Sequence, residues 1–205
     1  MFPRERKLDR APTGSGHIKG LGLRGFLAWY GASIDRERVL EALGLAQRHF
    51  SEYFDVSQPG FGVLTSRWYP AEVVHAIFDE ILRHHSSTER PRLAEHGAQA
   101  VMNDLLQGVY RTVISMFATP ERYARHGEKL WTLNYDNGRP VSVTSPTEHR
   151  VTYIEWRSHH PFLCRINMAT ALALYTAMGC RDVRYRRLGC ISDGAEACDS
   201  VISWK

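Results

Sequence analysis

No apolar run in this 205-residue chain reaches the length needed to span a membrane. The charged, polar start MFPRERKLDR is not followed by the apolar stretch of a secretion signal. The expected place is the cytoplasm, away from any membrane. Cysteine is scarce, with four in all, and in that compartment thiols stay reduced or hold metal rather than forming structural disulfides. Neither sign of charge dominates: 26 Lys and Arg against 22 Asp and Glu leave +4, dispersed along the chain. Such dispersal reads as a solvated surface, and nucleic acid is not an expected partner. Absent too are a P-loop, G-x-G-x-x-G, G-x-S-x-G and H-E-x-x-H, which removes the common phosphate-binding, esterase and zinc-protease chemistries. Nothing groups a nucleophile with a base, and Glu148 and Glu155, flanking one strand-like stretch, do not make a catalytic carboxylate pair. The expectation is a binding protein without turnover, not an enzyme.

What is present is a 43% hydrophobic composition, enough for one sizeable core. Residues 1–16, rich in charge, Pro and Gly, read as a flexible arm ahead of a single domain over 17–205. Apolar residues at helical spacing then predict helices over about 22–30 and over 36–50 with Ser33 or Asp35 as cap. A third starts at Trp68-Tyr69-Pro70, and a long one runs from about Pro91 to Phe117. Thr119-Pro120-Glu121 supplies a cap, a first-turn proline and an N-terminal acid, so another helix is expected to about Leu130. Near Trp131 the period switches to two. WTLNY, the turn Asp136-Asn137-Gly138 and RPVSVT read as a hairpin, with HRVTYIEWR as a third strand. The predicted fold class is α+β: N-terminal helices packed on a mainly antiparallel C-terminal sheet.

The last stretch holds all four cysteines. Pro161 opens a helix and Gly179 closes it. Strands around Val183–Tyr185 and Val201 flank a loop with the Asp193-Gly194 pair. That hairpin sets Cys190 near Cys198, and Cys164 joins them from the helix start. Three thiolates with His160 or His159 would make a candidate zinc set. The other reading is buried free thiols packed as small hydrophobes.

Cys164, Cys190 and Cys198 resemble the Cys, helix, strand, Cys-x7-Cys pattern of 4-vinyl-reductase-type domains, found in phenol-sensing regions of bacterial activators. In the zinc-binding members of that family a Glu precedes the middle Cys by three residues, whereas this chain has Arg187. Ile18–Gly20, Trp68–Pro70 and the stretch Thr119–Gly138 resemble landmarks of a paralogous family of myxobacterial proteins of similar length. Members of that family are similar to 4-vinyl-reductase-type and haem-nitric-oxide-binding-like domains. The resemblance implies the fold of NO-signalling and Golgi-transport domains, with an apolar pocket in some members. Haem-binding relatives carry a helix histidine and a Tyr-x-Ser-x-Arg strand. Here the strand reads Tyr153-Ile154-Glu155-Trp156-Arg157, and His96 reads as a solvated helix residue, so haem is not expected. Trp29, Tyr30, Phe54, Trp68, Phe78 and Tyr110 are the candidate pocket aromatics; core packing is the other reading of each. Two functions stay open. One is a sensory module that binds a small apolar ligand and signals to a separate protein. The other is an adaptor with a filled pocket, acting through its surface or as a homodimer.

Overall fold

Helical periodicity organises the first half of the chain, and the aromatic residues decide where its helices meet. The computed structural model of the protein describes residues 15–107 and 119–205. Strand β1 (His17–Lys19) leads straight into α1 (Gly20–Ser33), followed by α2 (Arg36–Phe50), strand β2 (Trp68–Pro70), α3 (Ala71–Leu82) and α4 (Arg90–Gln107). Asp35 caps α2, its carboxylate accepting the Arg38 N–H at 3.1 Å. One face of α2 buries Val39, Ala42, Leu43 and Ala46, the stripe that a 3.6-residue repeat dictates. α1 lies against α4 where a glycine of one helix faces a side chain of the other: a Cβ on Gly97 would stand 2.5 Å from the Phe26 ring, and one on Gly25 2.9 Å from Val101.

Two short helices follow, α5 (Pro120–Arg125) and α6 (Gly127–Trp131), then strands β3 (Arg139–Ser145) and β4 (Glu148–Ile154). The last elements are α7 (Pro161–Ala177), β5 (Arg184–Gly189) and β6 (Cys198–Ser203). The four strands form one antiparallel sheet in the order β3-β4-β6-β5. β1 and β2 form a separate antiparallel pair, Ile18 opposite Tyr69. α7 packs on α4, and the core is centred where α1, α3 and α7 converge. There the rings of Phe26, Phe78 and Phe162 meet pairwise at 5.2 to 5.4 Å. Each is at most 2% exposed, and burial of such a side chain stabilises by roughly 1.5–3 kcal/mol.

The α+β architecture is the one expected from the sequence, and several local readings change. Trp68–Pro70 is a strand rather than the start of a helix, because it pairs with β1; Pro70 stands just before α3. The single helix expected from Thr119 to Leu130 is two, hinged at His126, although Thr119 caps the first of them as expected. WTLNY is not a strand. Trp131 ends α6, and Tyr135 stacks on it at 4.3 Å between ring centroids. The alternation of apolar residues there serves this stacking and not a sheet face. The hairpin instead joins β3 to β4, with Pro146 and Thr147 between them. The arm residues 1–14 and the second half of the long helix expected to Phe117 fall outside the described residues. Ser15 is buried, and its hydroxyl donates to Glu72 at 2.8 Å, while the carbonyl of Gly16 accepts the Ala71 N–H.

Candidate ligand pocket and thiol cluster

Between the helices and the inner face of the sheet lies a cavity of about 360 Å³. Its size falls in the range of small-molecule sites. The sheet contributes His149, Val151 and Tyr153, every second residue of β4, because alternate side chains of a strand share a face. α7 contributes Leu163, Ile166 and Ala171, and α4 contributes Val101 and Met102. Trp131 and Tyr135 complete an aromatic corner with Tyr153 and Trp156, centroids 4.3 to 5.7 Å apart. This corner is fixed by hydrogen bonds: Trp131 Nε1–H donates to the carbonyl of Asn137 at 2.9 Å, and Tyr135 Oη and Asn167 lie 3.0 to 3.2 Å apart. Burial pushes the Tyr135 and Tyr153 phenols well above their ordinary range, so both stay neutral.

Of the six aromatics singled out in the sequence, Phe78 is on the cavity wall. Tyr30 and Phe54 are core residues at 1% and 2% exposure, away from that wall. Trp29 packs edge-on against Tyr30 and tilted against Phe26, and Trp68 lies at the surface beneath the Lys19 ammonium, which stands 4.4 Å from its ring centroid. Tyr110 lies outside the described residues. Among the wall residues that sequence reasoning missed is His149. The signal was there: in HRVTY the alternation puts His149 on the face of Val151 and Tyr153. Its Nδ1 is hydrogen-bonded to the hydroxyl of Tyr175, and its Nε2 is buried with no partner among the described residues. Burial pushes its pKa down to about 4, so the ring is neutral at pH 7.

The thiol cluster sits elsewhere, at the mouth of the β5–β6 hairpin. His160 caps α7, its Nδ1 accepting the Phe162 N–H at 3.2 Å, with Pro161 in the first turn, which sets Cys164 on that turn. Gly194, at φ +89°, closes the hairpin loop and sets Cys198 beside Cys190. Cys190 Sγ lies 3.9 Å from Cys164 Sγ, 3.5 Å from Cys198 Sγ and 3.4 Å from His159 Nε2. All four ligand atoms fall within 4.8 Å of one another, a spacing that a tetrahedral thiophilic ion accommodates. The thiols of Cys164, Cys190 and Cys198 are at most 2% exposed. Hydrogen bonding from Cys164, with help from His159, pushes the Cys198 thiol down, and the same partnership together with burial pushes Cys164 up. Of the two histidines named from the sequence, His159 lies beside the thiols and His160 points away from them. Both its nitrogens are engaged, Nδ1 by Phe162 and Nε2 by Asp79 at 3.1 Å. Arg187 pairs with Asp193 at 2.8 Å.

No protein-family model and no curated protein matches the sequence. Solved structures do. An H-NOX protein from S. oneidensis in the Fe(II)NO ligation state superposes with a TM-score of 0.66 at 13% identity, covering 92% of this chain and 99% of its own. The Fe(II) unliganded H-NOX protein from K. algicida gives 0.62 at 11%, covering 92% and 97%. A structure from work on heme distortion in the H-NOX family gives 0.60 at 10%, covering 92% and 95%. These neighbours correct the cofactor expectation, which set haem aside and considered zinc. The neighbours are iron and heme proteins, and nothing in them points to zinc. On this chain's own residues, His149 is the one histidine among the described lining residues; its ring is neutral, and its buried Nε2 has no partner among the described residues. The Tyr153–Arg157 strand offers no matching propionate clamp, since Glu155 and Arg157 are both exposed, and His96 is exposed on α4. At these identities the likeness is one of fold: the chain has the fold of H-NOX domains.

Proposed function

We propose that this chain is a non-catalytic sensory module that takes a small, largely apolar molecule into the pocket between helices and sheet. The cavity of about 360 Å³ lined by Leu163, Ile166, Val101, Trp131 and Tyr153 carries this reading. The fold of the H-NOX neighbours supports it, as does the resemblance of the cysteine pattern to 4-vinyl-reductase-type sensors. Residues 17–205 act as one ligand-binding domain in the cytoplasm and signal to a separate protein. Among the described residues no helix is long and apolar enough to cross a membrane.

Haem falls within the ligands to be tried. Bound haem supplies an iron that in the neighbours takes NO or CO. The chain's own residues supply largely apolar walls, which strengthen whatever polar contact the ligand makes.

Native mass spectrometry tests the proposal, on the protein as purified and after incubation with hemin or with 1-anilinonaphthalene. A one-to-one adduct that is lost when Ala171→Trp fills the cavity supports it. No adduct in any sample overturns it and favours the adaptor reading, for which Val141 and Val143 on the edge strand β3 offer exposed apolar surface.

A further inference from the structure

The two edges of the four-stranded sheet are built differently. β5, at one edge, exposes Arg184, Arg186 and Leu188, and its register shifts between Arg187 and Gly189. Charge and a bulge are the usual guards of a strand edge. β3, at the other edge, has neither. From Pro140 to Ser145 it carries no charged residue, and its register with β4 runs from Arg139 to Ser145 without a shift. Val141 is 42% exposed and Val143 71%. Pro146 and Thr147 form a two-residue hairpin loop, and the pair flanking such a loop, Ser145 and Glu148, is a hydrogen-bonded one. Alternation then turns the backbone N–H and C=O of Ser142 and Thr144 to the open edge. Pro140 has the same outward setting, where its missing N–H is tolerated. What satisfies such a row of groups is another extended strand.

The residues of β3 fit a second copy of themselves. Val141-Ser142-Val143 reads the same in both directions, so a two-fold axis at Ser142 sets Val141 of one copy opposite Val143 of the other. The two Ser142 residues then exchange N–H···O bonds, and the outward N–H of Thr144 meets the carbonyl of Pro140, which needs no donor in return. The same register puts Arg139 of one copy opposite Ser145 of the other. Ser145 is paired with Glu148, so Arg139 and that Glu148 share the outer face two strand spacings apart. That gap is about 10 Å, and two long side chains span it. Arg139 and Glu148 are both exposed, and neither forms an ion pair among the described residues. We propose that β3 is a homodimer interface: two copies pair antiparallel about an axis at Ser142, making one eight-stranded sheet flanked by two Arg139–Glu148 contacts. Assembly stops at two, because the edges left over are the guarded β5 strands. The proposal stands apart from the pocket reading and does not depend on it.

Sedimentation velocity of the full chain over about 1 to 200 µM tests it. A shift from monomer to dimer is expected, in the micromolar range where small interfaces fall. Val143→Lys puts a charge on the exposed face of the edge, and Ser142→Pro removes an outward N–H. Each is expected to keep the fold by circular dichroism and to weaken the dimer by at least about tenfold. Arg139→Glu and Glu148→Arg should each weaken it about three- to tenfold, two contacts being lost at once, and the double variant should restore it. A wild-type chain that stays monomeric throughout overturns the proposal and leaves the edge to a strand of another protein. A dimer that survives both Val143→Lys and Ser142→Pro also overturns it, since it then forms through another surface. Should either variant fail to fold, the charge reversals decide: weakening with rescue supports the proposal, and an unchanged dimer overturns it.

Discussion

Asn137 Oδ1 accepts the backbone N–H of Ser158 at 3.0 Å, and Asn137 Nδ2 donates back to the carbonyl of Ser15. One buried amide thus joins the turn before β3, the loop before α7 and the entry to β1. The Asn137 carbonyl also takes the Trp131 indole N–H, so the aromatic corner of the pocket hangs on the same residue. Asn137→Ala strands the N–H of Ser158, which is fully buried. A loss of about 2–3 kcal/mol is expected in chemical denaturation. A loss under about 0.5 kcal/mol would show that the network is dispensable.

Acid sensitivity follows from two histidines. Burial pushes His149 and His75 down to about 4, the latter helped by the His160 charge. Unfolded, each titrates near 6.5. Between those values the unfolded chain binds more protons, so stability falls as pH drops from about 6.5 towards about 4 and is untouched by these groups above pH 7. The contribution of one histidine is at most about 3 kcal/mol. Melting curves at pH 7.5, 6 and 5 should show a shallower decline for His149→Phe than for the parent chain. Identical slopes would mean that His149 is not buried neutral.

Thiol reactivity should divide the cysteines. Cys180 is half-buried, whereas Cys164, Cys190 and Cys198 are sealed from solvent. Titration with an aromatic disulfide reagent is expected to modify one thiol quickly and three more only on unfolding. Rapid modification of all four would contradict the enclosed cluster.

Two glycines at positive φ should respond differently to alanine. Gly179, at φ +90°, ends α7 in open space, so Gly179→Ala costs only the left-handed backbone strain of about 1–2 kcal/mol. Gly138, at φ +70°, would set its Cβ 2.8 Å from the Trp156 backbone. Gly138→Ala is therefore expected to lose more, by a further ~1–3 kcal/mol. Equal melting temperatures for the two variants would refute the contact.

Pro161, Gly179 and the Asp193-Gly194 turn were legible because each fixes backbone geometry by itself. So were the amphipathic stripes of α2 and α3, where one face meets the core. WTLNY was not legible as a helix end and turn. Trp131 and Tyr135 stack on each other across the turn, and alternation cannot distinguish that from a pleated face. The cluster of Cys164, Cys190 and Cys198 could be anticipated from the hairpin, but its histidine could not. His159 and His160 are adjacent in sequence, and only the capping bond to Phe162 and the contact with Asp79 separate their roles. The pocket aromatics were sought in the helical half, whereas Trp131, Tyr135 and Tyr153 come from α6, the turn after it and β4. Nothing in local sequence says which half of the chain faces an internal void.

β6, drawn from the last residues of the chain, lies between β4 and β5. During synthesis the β3–β4 hairpin therefore emerges with the inner edge of β4 unpaired, and that edge stays open while some forty further residues, including all of α7, leave the ribosome. The closing strand arrives last and completes two ladders at once, so sheet formation is a late, long-range event. Until then β4 presents Val151 and Tyr153 beside unpaired backbone groups, the kind of surface on which chains pair with the wrong neighbour. The vulnerable interval of this protein is its own biosynthesis, and a nascent-chain chaperone that covers β4 until Cys198–Ser203 appears would raise its yield without touching its final stability.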